Sequence, residues 1–212
     1  MSDNKLAFIG GSGIYKLDIF SEIVEHDVIS VFGEPSSKII EGKINGNSIY
    51  FLSRHGVGHR LSPSEINYQS NIDCLKKLGI TDIISLSAVG SLKEHLEPGT
   101  FVIVDQFVDR TIYRKKTFFE NGIVAHVPMS EPTNKILMNL SKIVLEKLNM
   151  KYSFGGTYLA MEGPQFSTQA ESLLYKSWNC DVIGMTNMPE AKLAMEAEIR
   201  YASISMVTDF DS

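Results

Sequence analysis

Cysteine is scarce in this chain of 212 residues, with Cys74 and Cys180 the only two. Each falls inside a predicted element. Both read as free buried thiols of a reducing compartment, which excludes a disulfide scaffold. No His/Cys ligand spacing is present either, so no metal is expected. Long apolar runs are lacking too. The start, "MSDNKLAFIGG", has no stretch long enough for a secretory signal, and the longest apolar runs are strand-sized, so no membrane partner is expected. A basic excess is also missing. The net charge of −5 argues against a protein that coats nucleic acid or an anionic membrane. The expected setting is cytoplasmic. An anionic small molecule stays open, because a few amides and one arginine suffice to hold a phosphate.

What the chain does have is the composition of a packed domain, 43% hydrophobic and 21% charged. The length suits one domain or two small ones and is enough to bury a substantial core. No repeat, linker or low-complexity stretch divides it, so a single domain over residues 1–212 is the simplest reading.

The patterning alternates between strands and helices. "KLAFIGGSG" is a short apolar strand running into a glycine-rich turn. "IVEHDVISVFG" and "SKIIEGKINGNSIYFLSRHG" read as hairpin material, with a turn at Asn45–Asn47. A helix is predicted from a capping box, with Ser62 as N-cap, Pro63 at the first helical position and Glu65 three residues after the serine; Gly79 ends it. "TDIISLSAVGS" and "TFVIVDQFVD" are two buried strands, and "TNKILMNLSKIVLEKLNM" has helical period and length. "GGTYLAMEGPQF" is a strand and turn, "STQAESLLYKSW" a helix, and residues 180–209 a strand, a helix and a strand. The fold class is therefore α/β, a central mixed β-sheet flanked by helices.

Five segments and the chain's end carry candidate chemistry, each with a plain structural alternative. "IGGSGIY" puts three glycines and Ser12 after the first strand, able to aim N–H groups at an anion or simply to make a tight turn. It matches neither of the familiar glycine-rich nucleotide signatures. Arg54 and His55 end the next strand, where an arginine fork suits a phosphate and solvent exposure is the alternative. Ser87 and Ala88 stand in "SLSAVGS", whose small side chains either admit a ligand to the backbone or pack closely. Phe166, in "AMEGPQFST", could stack on a flat base or belong to the core. Met185, Thr186 and Glu190 lie where a strand passes into a helix, and strand ends are where open α/β sheets collect ligands. Finally, Asp209 and Asp211 in "VTDFD" are two apart and would share one face of a strand; solvated acids are the alternative.

In order and wording these segments resemble the 5′-methylthioadenosine phosphorylase and trimeric purine nucleoside phosphorylase family, closest to its methylthioadenosine branch. The resemblance runs from "FIGGSGIY" through "FGEPS", "RHG", "PSEINYQSNI", "GSLKEHLEPGTFVIVDQFVDRT", "HVPMSEP", "GGTYLAMEGPQFST" and "MTNMPEAKLAMEAEIRYASI" to "TDFD". It implies phosphorolysis of an N-glycosidic bond, with inorganic phosphate as co-substrate and no cofactor. The implied phosphate contacts are Ser12, Arg54, His55, Ser87, the Ala88 amide and Thr186; relatives often carry threonine where Ser12 and Ser87 stand. The implied nucleoside contacts are Phe166, Ser167, Met185, Asp209, Asp211 and, at a subunit border, His126. Gly184 stands where some relatives carry asparagine. The implied assembly is a homotrimer, or a hexamer in some branches. Relatives continue past the aspartate pair into a C-terminal helical segment that this sequence does not include.

The resemblance makes Asp209 the candidate catalytic group at purine N7, where it would donate as the base leaves. A carboxylate also suits the 6-amino group of adenine better than a 6-oxo group, which favours 6-aminopurine nucleosides. Two alternatives remain: a sister enzyme acting on adenosine or 6-oxopurine nucleosides, and a nucleoside-binding homologue without turnover.

Overall fold

The computed structural model describes residues 4–11 and 20–211. Ser12 lies outside the described residues. The architecture is organised by β5 (Asp82–Ser91), the strand expected from "TDIISLSAVGS". Its first half pairs in parallel with β1 (Leu6–Gly10), from Leu6 opposite Asp82 to Ile9 opposite Ser85. On its other edge β11 (Arg200–Phe210) runs parallel to it along its length. At its far end β10 (Val182–Gly184) approaches from the opposite direction, with Val182 opposite Ser91 and Ile183 opposite Gly90. Between Ser85 and Gly90 that edge of β5 has neither neighbour in register. This interruption opens a cleft at the carboxyl ends of the strands, as expected for an α/β sheet.

The remaining strands extend the sheet on both sides. β2 (Ser21–His26), β3 (Ile39–Ile44) and β4 (Asn47–Ser53) form the expected antiparallel hairpins, and β4 joins β1 in parallel. The β3–β4 turn is made by Asn45 (φ 50°) and Gly46 (φ 81°), two positive-φ positions that fit a tight hairpin. β9 (Thr157–Ala160) pairs with β10 and with β7 (Gln106–Asp109). β6 (Phe101–Val104) lies between β11 and β8 (Tyr152–Phe154). The sheet is mixed, as anticipated.

Alternation along β6 explains how helices cover both faces. Val102 and Val104 point into the main core with Leu193, whereas Ile103 packs on the other side with Leu137, Met138 and Leu145. α1 (Tyr68–Lys77) and α4 (Asn187–Glu196) pack together, and α2 (Lys135–Lys147) covers β6, β8 and β11. α3 (Gln169–Ser177) supplies Tyr175 to a smaller cluster with Leu159, Met161 and Ile183. Its capping box is Thr168 with Glu171. Each fully buried leucine or isoleucine stabilises the fold by roughly 1.5–3 kcal/mol from transfer alone.

Two expectations need correcting. The Ser62–Glu65 contact forms, with the Glu65 carboxylate accepting the Ser62 N–H at 2.9 Å, but it closes only one turn. α1 starts later because Asn67 leaves the helical region; its side chain accepts the Ser70 N–H at 3.1 Å and donates to the Phe32 carbonyl at 2.7 Å. The end is as read, with Gly79 at φ +78° just past the helix. "TFVIVDQFVD" is two strands, β6 and β7, rather than one. Asp105 breaks it by exchanging bonds with Gly156 through backbone and side chain, and the chain then changes partners from β11 to β9.

Candidate active site

The cleft beside β5 is a cavity of about 940 Å³. Arg54 and His55 reach it from the end of β4, Ser87 and Ala88 from β5, Met185 and Thr186 from the β10–α4 turn, and Asp209 and Asp211 from the end of β11. Phe166 joins them from the loop after β9. Of the residues singled out in the sequence, these nine share one cavity. Ser167 and His126 are not among its lining residues. Ser167 is half-buried, with its hydroxyl 3.6 Å from the Met161 sulfur, and His126 is exposed. Phe166 is 78% exposed, which excludes the core alternative for it.

Arg54 is the most constrained of these groups, at 1% exposure. Its fork is not turned outward. Nε donates to Glu190 Oε2 at 2.7 Å and Nη2 to Glu190 Oε1 at 3.0 Å, a bidentate pair. Nη2 also reaches the Ile9 carbonyl (3.3 Å) and Ser85 Oγ (2.6 Å), and Nη1 reaches the Leu86 carbonyl (3.1 Å). Glu190 Oε1 further accepts from Ser85 Oγ at 2.7 Å and from the Tyr201 hydroxyl at 2.8 Å. Burial disfavours the Arg54 charge, but the Glu190 carboxylate outweighs it and holds the guanidinium pKa above its usual value. The expected fork toward an anion is therefore corrected. Nη1, which lies at the β5 edge, is the nitrogen with donor capacity left after these contacts.

The neighbouring groups are fixed in the same way. His55 Nδ1 donates to the Leu61 carbonyl at 2.9 Å, because a carbonyl only accepts, so Nε2 is the acceptor of the neutral ring. Burial lowers the His55 pKa, and the Arg54 charge lowers it further. His59 stacks on His55 with ring centroids 4.1 Å apart, from a backbone at φ +57°. Ser87 Oγ donates to Asn187 Oδ1 at 2.9 Å, and the Asn187 amide in turn donates to Ser203.

The aspartates are not a simple same-face pair. A bulge skips Thr208 in the β5–β11 register, so Val207 lies opposite Val89 and Asp209 opposite Gly90. β11 ends at Phe210, and Asp211 leaves the strand to accept from Ser172 Oγ of α3 at 2.6 Å. Asp209 accepts from Thr208 Oγ1 at 2.7 Å and is exposed. Both still line the cavity, with different supports.

A comparison with family models matches residues 5–212 to the model described as "Phosphorylase superfamily". The chain belongs to the phosphorylase superfamily. Among its relatives is an S-methyl-5′-thioadenosine phosphorylase of Rhodospirillum rubrum, 56% identical over 206 residues, covering 97% of this chain and 70% of that protein. A crystal structure of a methylthioadenosine phosphorylase from an antarctic soil metagenomic library superposes with a TM-score of 0.95 at 46% identity, covering 98% of this chain and 74% of that one. A mutant of adenosine/methylthioadenosine phosphorylase from Schistosoma mansoni, solved in complex with methylthioadenosine, gives a TM-score of 0.94 at 35% identity, covering 98% and 81%.

Within this phosphorylase fold, sequence reasoning overlooked Ser85 and Tyr201, and it placed Glu190 at a strand–helix junction without giving it a task. Glu190 and Arg54 are 136 residues apart, so no spacing connects them; the available signal was a glutamate on a helix otherwise rich in alanine, leucine and methionine. Tyr158 was also overlooked. It is fully buried, its hydroxyl accepts the Thr186 N–H at 3.2 Å, and burial raises its pKa. Its ring occupies the space next to Gly184: a Cβ there would stand 2.7 Å from Tyr158 Cζ. Glycine at 184 is thus paired with tyrosine at 158. Replacing Gly184→Ala should cost about 1–3 kcal/mol of stability by overpacking, measured by urea unfolding. In a Tyr158→Leu background the added cost should shrink, and an equal cost in both backgrounds would contradict the pairing.

Proposed function

We propose that this chain catalyses phosphorolysis of the N-glycosidic bond of 5′-methylthioadenosine, giving adenine and 5-methylthioribose 1-phosphate. The observation that carries the reading is a single cavity lined both by an Arg54–His55–Ser87–Thr186 cluster and by Asp209 and Asp211, in a chain of this superfamily. In this reading hydrogen phosphate binds at Arg54 Nη1, Ser87, the Ala88 amide and Thr186, together with Ser12, and its P–OH donates to His55 Nε2. The nucleoside lies along Met185 and Phe166, with Ser167 beside the base.

The difficult event is cleavage between C1′ and the purine nitrogen, when the sugar gains positive and the base negative charge. Stabilisation must therefore appear with that charge. The phosphate dianion faces the developing cation and is its nucleophile, so positioning contributes strongly. Thr208 already donates to Asp209 Oδ1, which leaves Oδ2 for purine N7. Protonated, Asp209 delivers a hydrogen bond or proton to the leaving base. Asp211, with Oδ2 held by Ser172, offers Oδ1 to the 6-amino group. No metal or cofactor enters this scheme; phosphate is a co-substrate.

The assembly we propose is a homotrimer in the cytoplasm. His126, exposed and away from its own chain's cavity, would then serve a neighbouring subunit's nucleoside. Adenosine is the second substrate to test, since a structural neighbour carries both names. A phosphate-dependent panel of methylthioadenosine, adenosine and inosine checks the reading: methylthioadenosine should have the highest kcat/KM, and inosine in first place would overturn it. In the same assay Asp209→Ala should lower kcat by about 10²-fold or more, while phosphate affinity stays near wild type. Near-normal turnover would remove Asp209 from the mechanism.

A further inference from the structure

We propose that Arg114 is a positioning residue for the nucleoside side of the cavity, a role that rests on the reading above. It is 7% exposed and does not line the cavity. Its guanidinium instead gathers backbone carbonyls from two separate loops. From the loop after β9 it takes the carbonyls of Glu162 (2.7 Å) and Met161 (3.4 Å), both through Nη2. From the β10–α4 turn it takes the Met185 carbonyl, and from the first turn of α4 that of Met188 (2.7 Å), both through Nη1. Nη1 also meets the Tyr68 hydroxyl at 3.2 Å, Nε meets Ser64 Oγ at 3.4 Å, and the group lies over the Tyr68 ring at 5.4 Å.

The two loops so joined form adjoining parts of the wall. The first contributes Met161, Pro164 and Phe166, and the second contributes Gly184, Met185 and Thr186. Gly163, at φ +68°, has no Cβ where the Met185 side chain lies against it, so the loops are in direct contact. The Glu162 carboxylate closes the arrangement on Arg114's own segment. It accepts the N–H groups of Ile112 and Tyr113 and the Ser64 hydroxyl, and lies 3.5 Å from Arg114 Nε. Burial opposes its charge, but the Ser64 and Ile112 hydrogen bonds outweigh that and lower its pKa.

This geometry requires arginine. Five N–H donors in one plane can reach carbonyls on two sides at once, whereas a lysine ammonium is a point donor on a flexible stem. Of the phosphate contacts only Thr186 touches this clamp, because its N–H belongs to the same peptide unit as the Met185 carbonyl; the Tyr158 hydroxyl holds that N–H in addition, and Arg54, His55, Ser87 and Ala88 stand on other elements. Arg114 therefore sets where Met185 and Phe166 stand against the nucleoside and leaves the anion contacts on β4 and β5 in place.

Calorimetric titration of the full chain with methylthioadenosine and, separately, inorganic phosphate tests this. For Arg114→Lys the nucleoside Kd should rise about tenfold or more, with the phosphate Kd within about threefold of wild type. Equal weakening of both ligands, or of neither, would overturn the proposal, because a merely structural residue has no reason to separate them. If Arg114→Lys does not fold, Glu162→Gln, which weakens the closing ion pair, must show the same split in smaller measure, and its absence is equally decisive. A wild-type chain that binds methylthioadenosine without cleaving it in phosphate would refute the proposed reaction and leave the positioning role to be judged by the same titrations.

Discussion

The buried pair of Arg54 and Glu190 holds the centre of this molecule together. Arg54 leaves the end of β4, passes beneath Ile9 of β1, and bonds Ser85 and Leu86 of β5 before meeting Glu190 of α4. Tyr201 of β11 completes the set. Four strands and a helix thus converge on two opposite charges with almost no access to water. Such a pair is costly to bury and stays only because its hydrogen bonds are satisfied on every side. Removing either member would leave the other as an uncompensated charge in the sheet.

That constraint shapes the cavity. With most donors committed to Glu190, Ser85, Ile9 and Leu86, Arg54 presents a narrow face at the open edge of β5. Its charge is held rather than mobile, and nearby groups are held too: His55 by Leu61, Ser87 by Asn187, Thr186 by Tyr158. A site whose dipoles are fixed before substrate arrives has little reorganisation left to do when charge develops. The nucleoside-facing loops are held by different contacts, centred on Arg114, and the two halves of the cavity meet at the Met185–Thr186 peptide.

The sequence made the local features legible and left the distant pairings hidden. Hairpins, the strand "TDIISLSAVGS" and the helix in "STQAESLLYKSW" follow from period and turn chemistry, which act over a few residues. The candidate cavity residues were readable mainly because their segments resemble a known family in order and wording. What failed were inferences that ignored competing local bonds. The Ser62 capping box closes a turn without starting a helix because Asn67 caps the helix instead. The two aspartates do not share a simple strand face because β11 ends at Phe210 and Asp211 turns to Ser172 of α3. Nothing in the spacing of Arg54 and Glu190, or of Arg114 and the carbonyls it gathers, could announce a bond formed only after the chain has folded.

The most direct check of this account is urea-induced unfolding of Glu190→Gln. Glutamine keeps the shape of the side chain but removes the charge opposite Arg54. The loss of stability should be about 3–5 kcal/mol, the range for stranding a buried ionic partner. A variant within about 1 kcal/mol of wild type, the range of an exposed ion pair, would contradict the claim that the fold and its cavity depend on this interaction.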